Sequence, residues 1–162
     1  MVAGMPSLLV LRHAKAVTGL GLADIDRPLS DRGRRDAKAT GKWLRKHGLT
    51  PDLVLCSTSV RTRETLERLA LDTDRVKFES GIYDNDPETL LTLVREEGDE
   101  SERVLLVGHN PSVHHLVHDL TGQAPDSFPT CALAVIEVPE PWIDLRPGVG
   151  DLTSYRTPKG DA

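Results

Sequence analysis

Three apolar runs in this 162-residue chain each end in side chains that bind anions or move protons. Leu8-Leu9-Val10-Leu11 runs into Arg12, His13 and Lys15. Leu53-Val54-Leu55-Cys56 runs into Ser57, Ser59 and Arg61. Val104-Leu105-Leu106-Val107 runs into Gly108, His109 and Asn110. Guanidinium forks bind a phosphoryl group in bidentate fashion. A histidine in the same pocket has two possible jobs, proton transfer or nucleophilic attack. A neutral imidazole can attack phosphorus and hold the phosphoryl group covalently. Arg12, Arg61 and a protonated His109 would then stabilise charge on the equatorial oxygens. A single histidine at a strand end is more often a hydrogen-bonded structural residue; two arginines and two histidines on one edge are not explained that way.

The elements that must position these side chains follow from the pattern. Each four-residue apolar run reads as a strand buried on both faces of a parallel sheet, and open α/β sheets bind ligands at the carboxyl ends of their strands. A polar stretch from Ala14 to Leu29, with Gly19, Gly21 and Pro28, reads as a surface loop near the tip of the first strand. Ser30 caps a helix expected to reach Lys46, with Gly48 and Pro51 beyond its end. Ser59 caps a second helix, which puts Arg61 in its first turn. The helix dipole is already positive there, so a cation at that place points to an anion nearby.

Val76-Lys77-Phe78 reads as a short third strand, Glu79 to Asp86 as a loop, and Asp86-Pro87-Glu88 as a helix start. Asn110 and Pro111 read as the cap and first residue of a further helix, with Val113, Leu116, Val117 and Leu120 on its buried face. Cys131 to Val138 and Leu152 to Arg156 read as two late strands, and Pro158 to Ala162 as a loose tail. The βα alternation predicts an α/β fold: a mainly parallel central sheet of about six strands with helices on both faces. Residues 1–162 read as a single domain, with no repeat or linker to divide them.

Composition narrows the function classes. With 38% hydrophobic and 28% charged residues the chain reads as soluble and globular, and its net charge of −5 argues against a nucleic-acid surface. An anion site must therefore be a local cationic pocket. Cys56 and Cys131 sit in apolar contexts and make no disulfide framework. Met1 to Ser7 lacks the basic and apolar regions of a signal peptide, and no apolar run is long enough to span a membrane. A cytoplasmic monomer is the expectation.

Three motifs, in order, carry a resemblance. Leu11-Arg12-His13-Ala14 resembles the Arg-His-Gly signature of the histidine phosphatase (phosphoglycerate mutase-like) superfamily. Ser57 to Thr65 resembles its Ser-Pro-x-x-Arg-Ala-x-x-Thr segment, and Val107-Gly108-His109-Asn110 its second-histidine segment. The short length, Arg12-His13-Ala14-Lys15 and the segment Asp26 to Gly33 are similar to the SixA-like phosphohistidine phosphatase branch. Ala14 stands in place of glycine and Thr58 in place of proline. The resemblance implies a phosphoglycerate mutase-like three-layer sandwich and a metal-independent phosphatase without cofactors. It implies that His13 accepts the phosphoryl group and that Arg12, Arg61 and His109 bind it. Its substrate would be a phosphorylated small molecule or a phosphohistidine protein. Larger members carry a glutamate after the third strand; Asp84 in Ile82-Tyr83-Asp84 is the nearest match for that general acid, with Glu79 and Asp26 in reserve.

Other readings are weaker. A phosphoglycerate mutase-like phosphotransferase would need longer loops to clamp a bisphosphate. A non-catalytic phosphate- or phosphopeptide-binding module has no use for His13. Metal binding by His109, His114, His115 and His118 lacks a completing Cys or carboxylate, and the last three are expected to face solvent. Gly19-Leu20-Gly21 lacks the third glycine and the helix of a dinucleotide loop.

Overall fold

An apolar run that is polar at both ends buries both faces most simply as a central strand covered on each side. The computed structural model describes residues 5–159. It places six strands in one sheet: β1 (Ser7–Arg12), β2 (Leu53–Cys56), β3 (Val76–Phe78), β4 (Arg103–Gly108), β5 (Leu133–Glu137) and β6 (Asp151–Arg156). Their order is β3-β2-β4-β1-β5-β6. The first four in that order are parallel, and β5 and β6 extend the sheet antiparallel.

Five helices accompany the sheet: α1 (Asp31–Lys46), α2 (Val60–Leu69), α3 (Ser80–Tyr83), α4 (Pro87–Gly98) and α5 (Ser112–Thr121). Alternate residues of the strands feed two cores. Leu9 and Leu11 of β1 pack with Ala37 and Leu44 of α1 and Leu69 of α2. Leu8 and Val10 pack with Leu90 and Val94 of α4 and with Val113, Leu116, Val117 and Leu120 of α5. Helices thus cover both faces. The α1–α2 contact is close because of Gly41, where an added Cβ would lie 2.1 Å from the Leu69 carbonyl oxygen. Gly33 allows the first turn of α1 to press on Lys15 in the same way.

Register brings the strand ends level. Arg12 pairs with Gly108, Leu11 with Val107, and Cys56 with both Val107 and Phe78. The residues just beyond β1, β2 and β4 therefore meet on one edge. At β1 and β4 the chain leaves towards opposite faces, into α1 and α5, and a crevice opens there.

Four local expectations differ from the structure. Residues 80–83 form the short helix α3 within the expected loop. β5 begins at Leu133 because Cys131 has φ +63°, which no strand accommodates, and its N–H donates to the His13 carbonyl at 2.9 Å. The helix expected from Pro111 begins at Ser112. Asn110 does not cap it: its side-chain amide donates to Phe128 O, and the first helical N–H, that of Ser112, donates to Asn85 Oδ1 at 3.0 Å. Pro158 and Lys159 form a turn, while Met1–Gly4 and the remainder of the expected tail, Gly160–Ala162, lie outside the described residues. Among the described residues no helix is long and apolar enough to cross a membrane.

Candidate active site

The level strand ends open into a cleft of about 340 Å³ whose walls include Arg12, His13, Arg61 and His109. The structure brings these four sequence-predicted residues together from β1, α2 and the end of β4. The His13 and His109 ring centroids are 5.4 Å apart. Arg61 is only 6% exposed, so its guanidinium is committed to the cleft rather than to solvent.

Hydrogen bonding fixes the protonation of the two imidazoles. His13 Nδ1 lies 2.7 Å from the Ala14 carbonyl oxygen. A carbonyl only accepts, so Nδ1 carries the proton and Nε2 is the unprotonated, accepting nitrogen. Arg61 Nε donates to that Nε2 at 3.3 Å. His109 has the opposite arrangement. Arg61 Nη2 lies 3.4 Å from its Nδ1, and a guanidinium only donates, so Nδ1 accepts. The ring proton is then on Nε2, which donates to Ser57 Oγ at 2.8 Å.

Burial lowers the His13 pKa to about 3, with His109, Arg61 and Arg12 adding to the shift against the Ala14 hydrogen bond. Burial, then Arg61, lowers His109 to about 4. Both rings are therefore neutral at neutral pH. Burial and Arg61 also lower Arg12, which remains cationic. Arg12 Nη1 donates to the Phe128 carbonyl, while its buried Nε has no hydrogen-bond partner among the described residues.

The scaffold around these groups is tied to the sheet edge. The Ala14 N–H donates to Thr65 Oγ1 at 3.0 Å, and that hydroxyl donates to the Arg61 carbonyl at 2.7 Å, so the His13 turn and the first turns of α2 form one unit. Ser59 caps α2 as expected, accepting from the Thr62 N–H. Leu29 N–H donates to Glu64 Oε1, which fastens the end of the long loop to the same helix.

The carboxylates fall differently from the sequence expectation. Asp84 is exposed at the C-terminal end of α3 and does not line the cleft. The α3 turn explains this: it directs Ile82 into the core and Tyr83 to the cleft, which leaves Asp84 outward. Glu79 is half-buried and Asp26 exposed, and neither lines the cleft.

Among the described residues the carboxylate in the cleft is Asp24, from the Ala14–Leu29 loop. Tyr83 Oη donates to Asp24 Oδ2 at 2.6 Å, Arg61 Nη2 donates to the same oxygen at 3.0 Å, and Arg27 donates to Oδ1 at 3.2 Å. The Tyr83 hydrogen bond and then Arg61 hold Asp24 well below the usual carboxylate range. Asn85 also lines the cleft, with φ +64° and its amide donating to the Asn110 carbonyl.

Asp24, Arg27, Tyr83 and Asn85 are absent from the sequence expectation. For Asp24 and Arg27 the available signal was their loop's place beside the tip of β1; the reserve candidate Asp26 is two residues away. Of the other histidines, His115 and His118 are exposed, but His114 is half-buried, stacked on Phe128 and bonded to the Pro125 carbonyl. Among the described residues no group of three or more His, Cys, Asp or Glu side chains is placed to hold a metal ion.

Comparison with known proteins agrees with this geometry. The model of the histidine phosphatase superfamily (branch 1) matches residues 8–82. An uncharacterized protein of Mycobacterium tuberculosis is 34% identical over 159 residues, covering 92% of this chain and 100% of that protein. A solved structure from Nakamurella multipartitia, described as a candidate phosphohistidine phosphatase SixA, is 30% identical with a TM-score of 0.85, covering 96% of this chain and 98% of the other. A similarly described protein from Agrobacterium tumefaciens is 27% identical with a TM-score of 0.81, covering 95% and 99%.

Proposed function

The chain belongs to the histidine phosphatase superfamily, in its SixA-like branch, and from that membership we propose that it is a cytoplasmic, monomeric, single-domain phosphatase that removes the phosphoryl group from phosphohistidine on a partner protein through a covalent intermediate on His13. The observation that carries this reading is the His13 tautomer. Its Nδ1–H is tied to the Ala14 carbonyl, so the lone pair on Nε2 faces the cleft beside two guanidinium groups.

In the first step Nε2 of His13 attacks phosphorus. The Nε2–P bond forms as the bond from phosphorus to the substrate's imidazole nitrogen breaks. The electron pair leaves with that nitrogen. The positive charge arising on the His13 ring is held at Nδ1–H by the Ala14 carbonyl. Arg12 and Arg61 bind the equatorial oxygens, where charge is greatest in the transition state. His109 is neutral beside them, and a dianionic ligand raises the tendency of its Nδ1 to take a proton and donate to an oxygen. In the second step water attacks phosphorus, the Nε2–P bond breaks with its electron pair returning to Nε2, the protons of the water leave with the phosphate as dihydrogen phosphate, and His13 is neutral again.

The leaving group follows from Asp24. An alkoxide needs a proton from a positioned acid. Asp24 is held ionised by Tyr83 and Arg61 and is a poor acid. A phosphorylated imidazole accepts a proton from solvent at its other ring nitrogen and departs neutral. The cleft therefore favours phosphohistidine, or another labile phosphate, over alkyl phosphates. The names of the Nakamurella and Agrobacterium proteins support the same class.

The test is to trap the intermediate. Brief reaction with a phosphorus-labelled phosphohistidine peptide followed by alkaline quench is expected to leave acid-labile, base-stable label on His13. Label on another residue, or none during active turnover, would overturn the assignment.

A further inference from the structure

The same cleft contains an anion supplied by the protein itself. Arg61 directs both terminal nitrogens at Asp24: Nη1 donates to its backbone carbonyl at 2.7 Å and Nη2 to its carboxylate at 3.0 Å. These are the donors that a phosphoryl group would use, because a guanidinium binds oxyanions through this outer fork. The cation in the first turn of α2 already has its negative partner, delivered from 37 residues away in sequence. Tyr83 Oη and the Arg27 guanidinium complete the grip on the carboxylate.

The segment that carries Asp24 is attached by little else. Its base is closed by the Ala16–Leu29 bridge and the Val17–Pro28 hydrogen bond. Beyond that base, residues 18–26 are all exposed, including Leu20, Leu22 and Ile25. Gly19 and Gly21 have φ of +77° and +71°, so the tip bends at residues that tolerate such angles. Among the described residues, the polar side-chain contacts of the 18–26 tip outside its own loop are those that Asp24 makes with Arg61 and Tyr83. A segment whose residues are all exposed and that is anchored through the side chain and carbonyl of one residue opens at low free-energy cost.

We propose that Asp24 is a resident counter-anion that a phosphoryl group must displace from Arg61, and that it thereby sets the affinity of the cleft for phosphate and for phosphorylated substrate. This inference rests on the phosphoryl-binding reading of the cleft. Entry of the phosphoryl group exchanges one set of charge-assisted hydrogen bonds on Arg61 for another, and Asp24 moves outward with its loop because two anions repel at that distance. As phosphate departs, the carboxylate returns to the guanidinium, so the cleft does not retain its product. Asp24 is a positioning and affinity-setting residue, not a catalytic one.

The alternative role gives the opposite sign. If Asp24 served only to hold Arg61 and Arg27 in place, its loss would disorder them and weaken phosphate binding. The experiment is calorimetric titration of the full chain with inorganic phosphate at pH 8, comparing wild type, Asp24→Asn and Tyr83→Phe, with thermal melts as a check on folding. Asp24→Asn keeps the size of the side chain and removes its charge. It is expected to bind phosphate at least about tenfold more tightly. Tyr83→Phe releases one hydrogen bond to the carboxylate and keeps the aromatic ring whose centroid lies 6.0 Å from the Arg61 guanidinium carbon, and is expected to tighten binding by about threefold. Unchanged or weaker binding by both variants overturns the proposal. If Asp24→Asn binds more tightly but wild type hydrolyses no phosphorylated substrate, the counter-anion stands and the catalytic reading fails. If neither wild type nor variants bind phosphate, both fall.

Discussion

His13 and His109 sit 5.4 Å apart at the ends of adjacent parallel strands, yet they present opposite nitrogens to the same cleft. His13 donates its Nδ1–H to a backbone carbonyl and presents an unprotonated Nε2 to Arg61 Nε. His109 gives its proton to the Ser57 hydroxyl through Nε2 and presents Nδ1 to Arg61. The acceptors differ in kind. The Ala14 carbonyl is a fixed backbone dipole that would stabilise an imidazolium in the proposed intermediate, with Nε2 bonded to phosphorus. The Ser57 hydroxyl can rotate and donates as well as accepts, so it tolerates either protonation state of His109. In the proposed mechanism the first arrangement suits bond formation and the second a change of charge.

Removing each ring in turn breaks this comparison most strongly. His13→Ala is expected to reduce turnover of a phosphohistidine peptide by at least about a thousandfold, since it removes the proposed nucleophile. Residual activity above a tenth of wild type in a folded variant would count against the assignment. His109→Ala is expected to lower kcat by about a hundredfold, the scale for losing one donor to transition-state oxygens. A larger loss than that of His13→Ala would reverse the roles. Ser57→Ala leaves both rings and removes the partner of His109 Nε2, together with a long contact from the Ser59 N–H at 3.5 Å. One hydrogen bond of about 1 kcal/mol corresponds to a roughly fivefold drop in kcat. Steady-state kinetics with the three variants, each checked by thermal melt, rank these effects.

The ranking also marks how far the sequence could be read. His13, Arg12, Arg61 and His109 were legible because each lies within a few residues of a strand end or helix cap, and the parallel sheet brings such ends level. The boundaries of α1, β2, α2 and β3 followed from caps and apolar runs for the same local reason. Asp24, Tyr83 and Asn85 were not legible in this way. Asp24 reaches the cleft through a loop whose path depends on its contacts with Arg61 and Tyr83. Asn85 replaces Asn110 as the partner of the first N–H of α5, a substitution across 25 residues that no local propensity encodes. The tautomers are a further property of packed neighbours alone.

Acid stability distinguishes the two rings by a smaller effect. Both have pKa values in the folded state, about 3 for His13 and about 4 for His109, below the 6.5 of an unperturbed histidine. Below pH 6.5 the unfolded chain takes up protons that the native state refuses, so stability is complete above 6.5 and falls as pH drops towards these values. Each ring contributes at most about 1.4 kcal/mol per pH unit in its window. Chemical denaturation at pH 7.5 and pH 5 is therefore expected to show a loss of about 4 kcal/mol from the pair, about 2 kcal/mol from each ring. His109→Ala should remove roughly half of that slope and leave the remainder to His13. A variant as pH-sensitive as wild type would mean that the ring is not buried neutral.

The smallest expected effect concerns the residue that sequence placed in the site and the structure does not. Asp84 is exposed beside Tyr83 and Asn85, both of which face the cleft. If Asp84 protonated the leaving group, Asp84→Asn would depress hydrolysis of alkyl phosphates by about a hundredfold and spare phosphohistidine. Its position outside the cleft gives a different expectation: kcat/KM within about twofold of wild type on both substrate classes, the range of an exposed substitution distant from the reacting atoms. The paired measurement matters because a general drop on both substrates would indicate a disturbed α3 turn, which also carries Tyr83. A selective drop on alkyl phosphates alone would bring an acid into the cleft from α3 and remove the leaving-group argument that favours phosphohistidine.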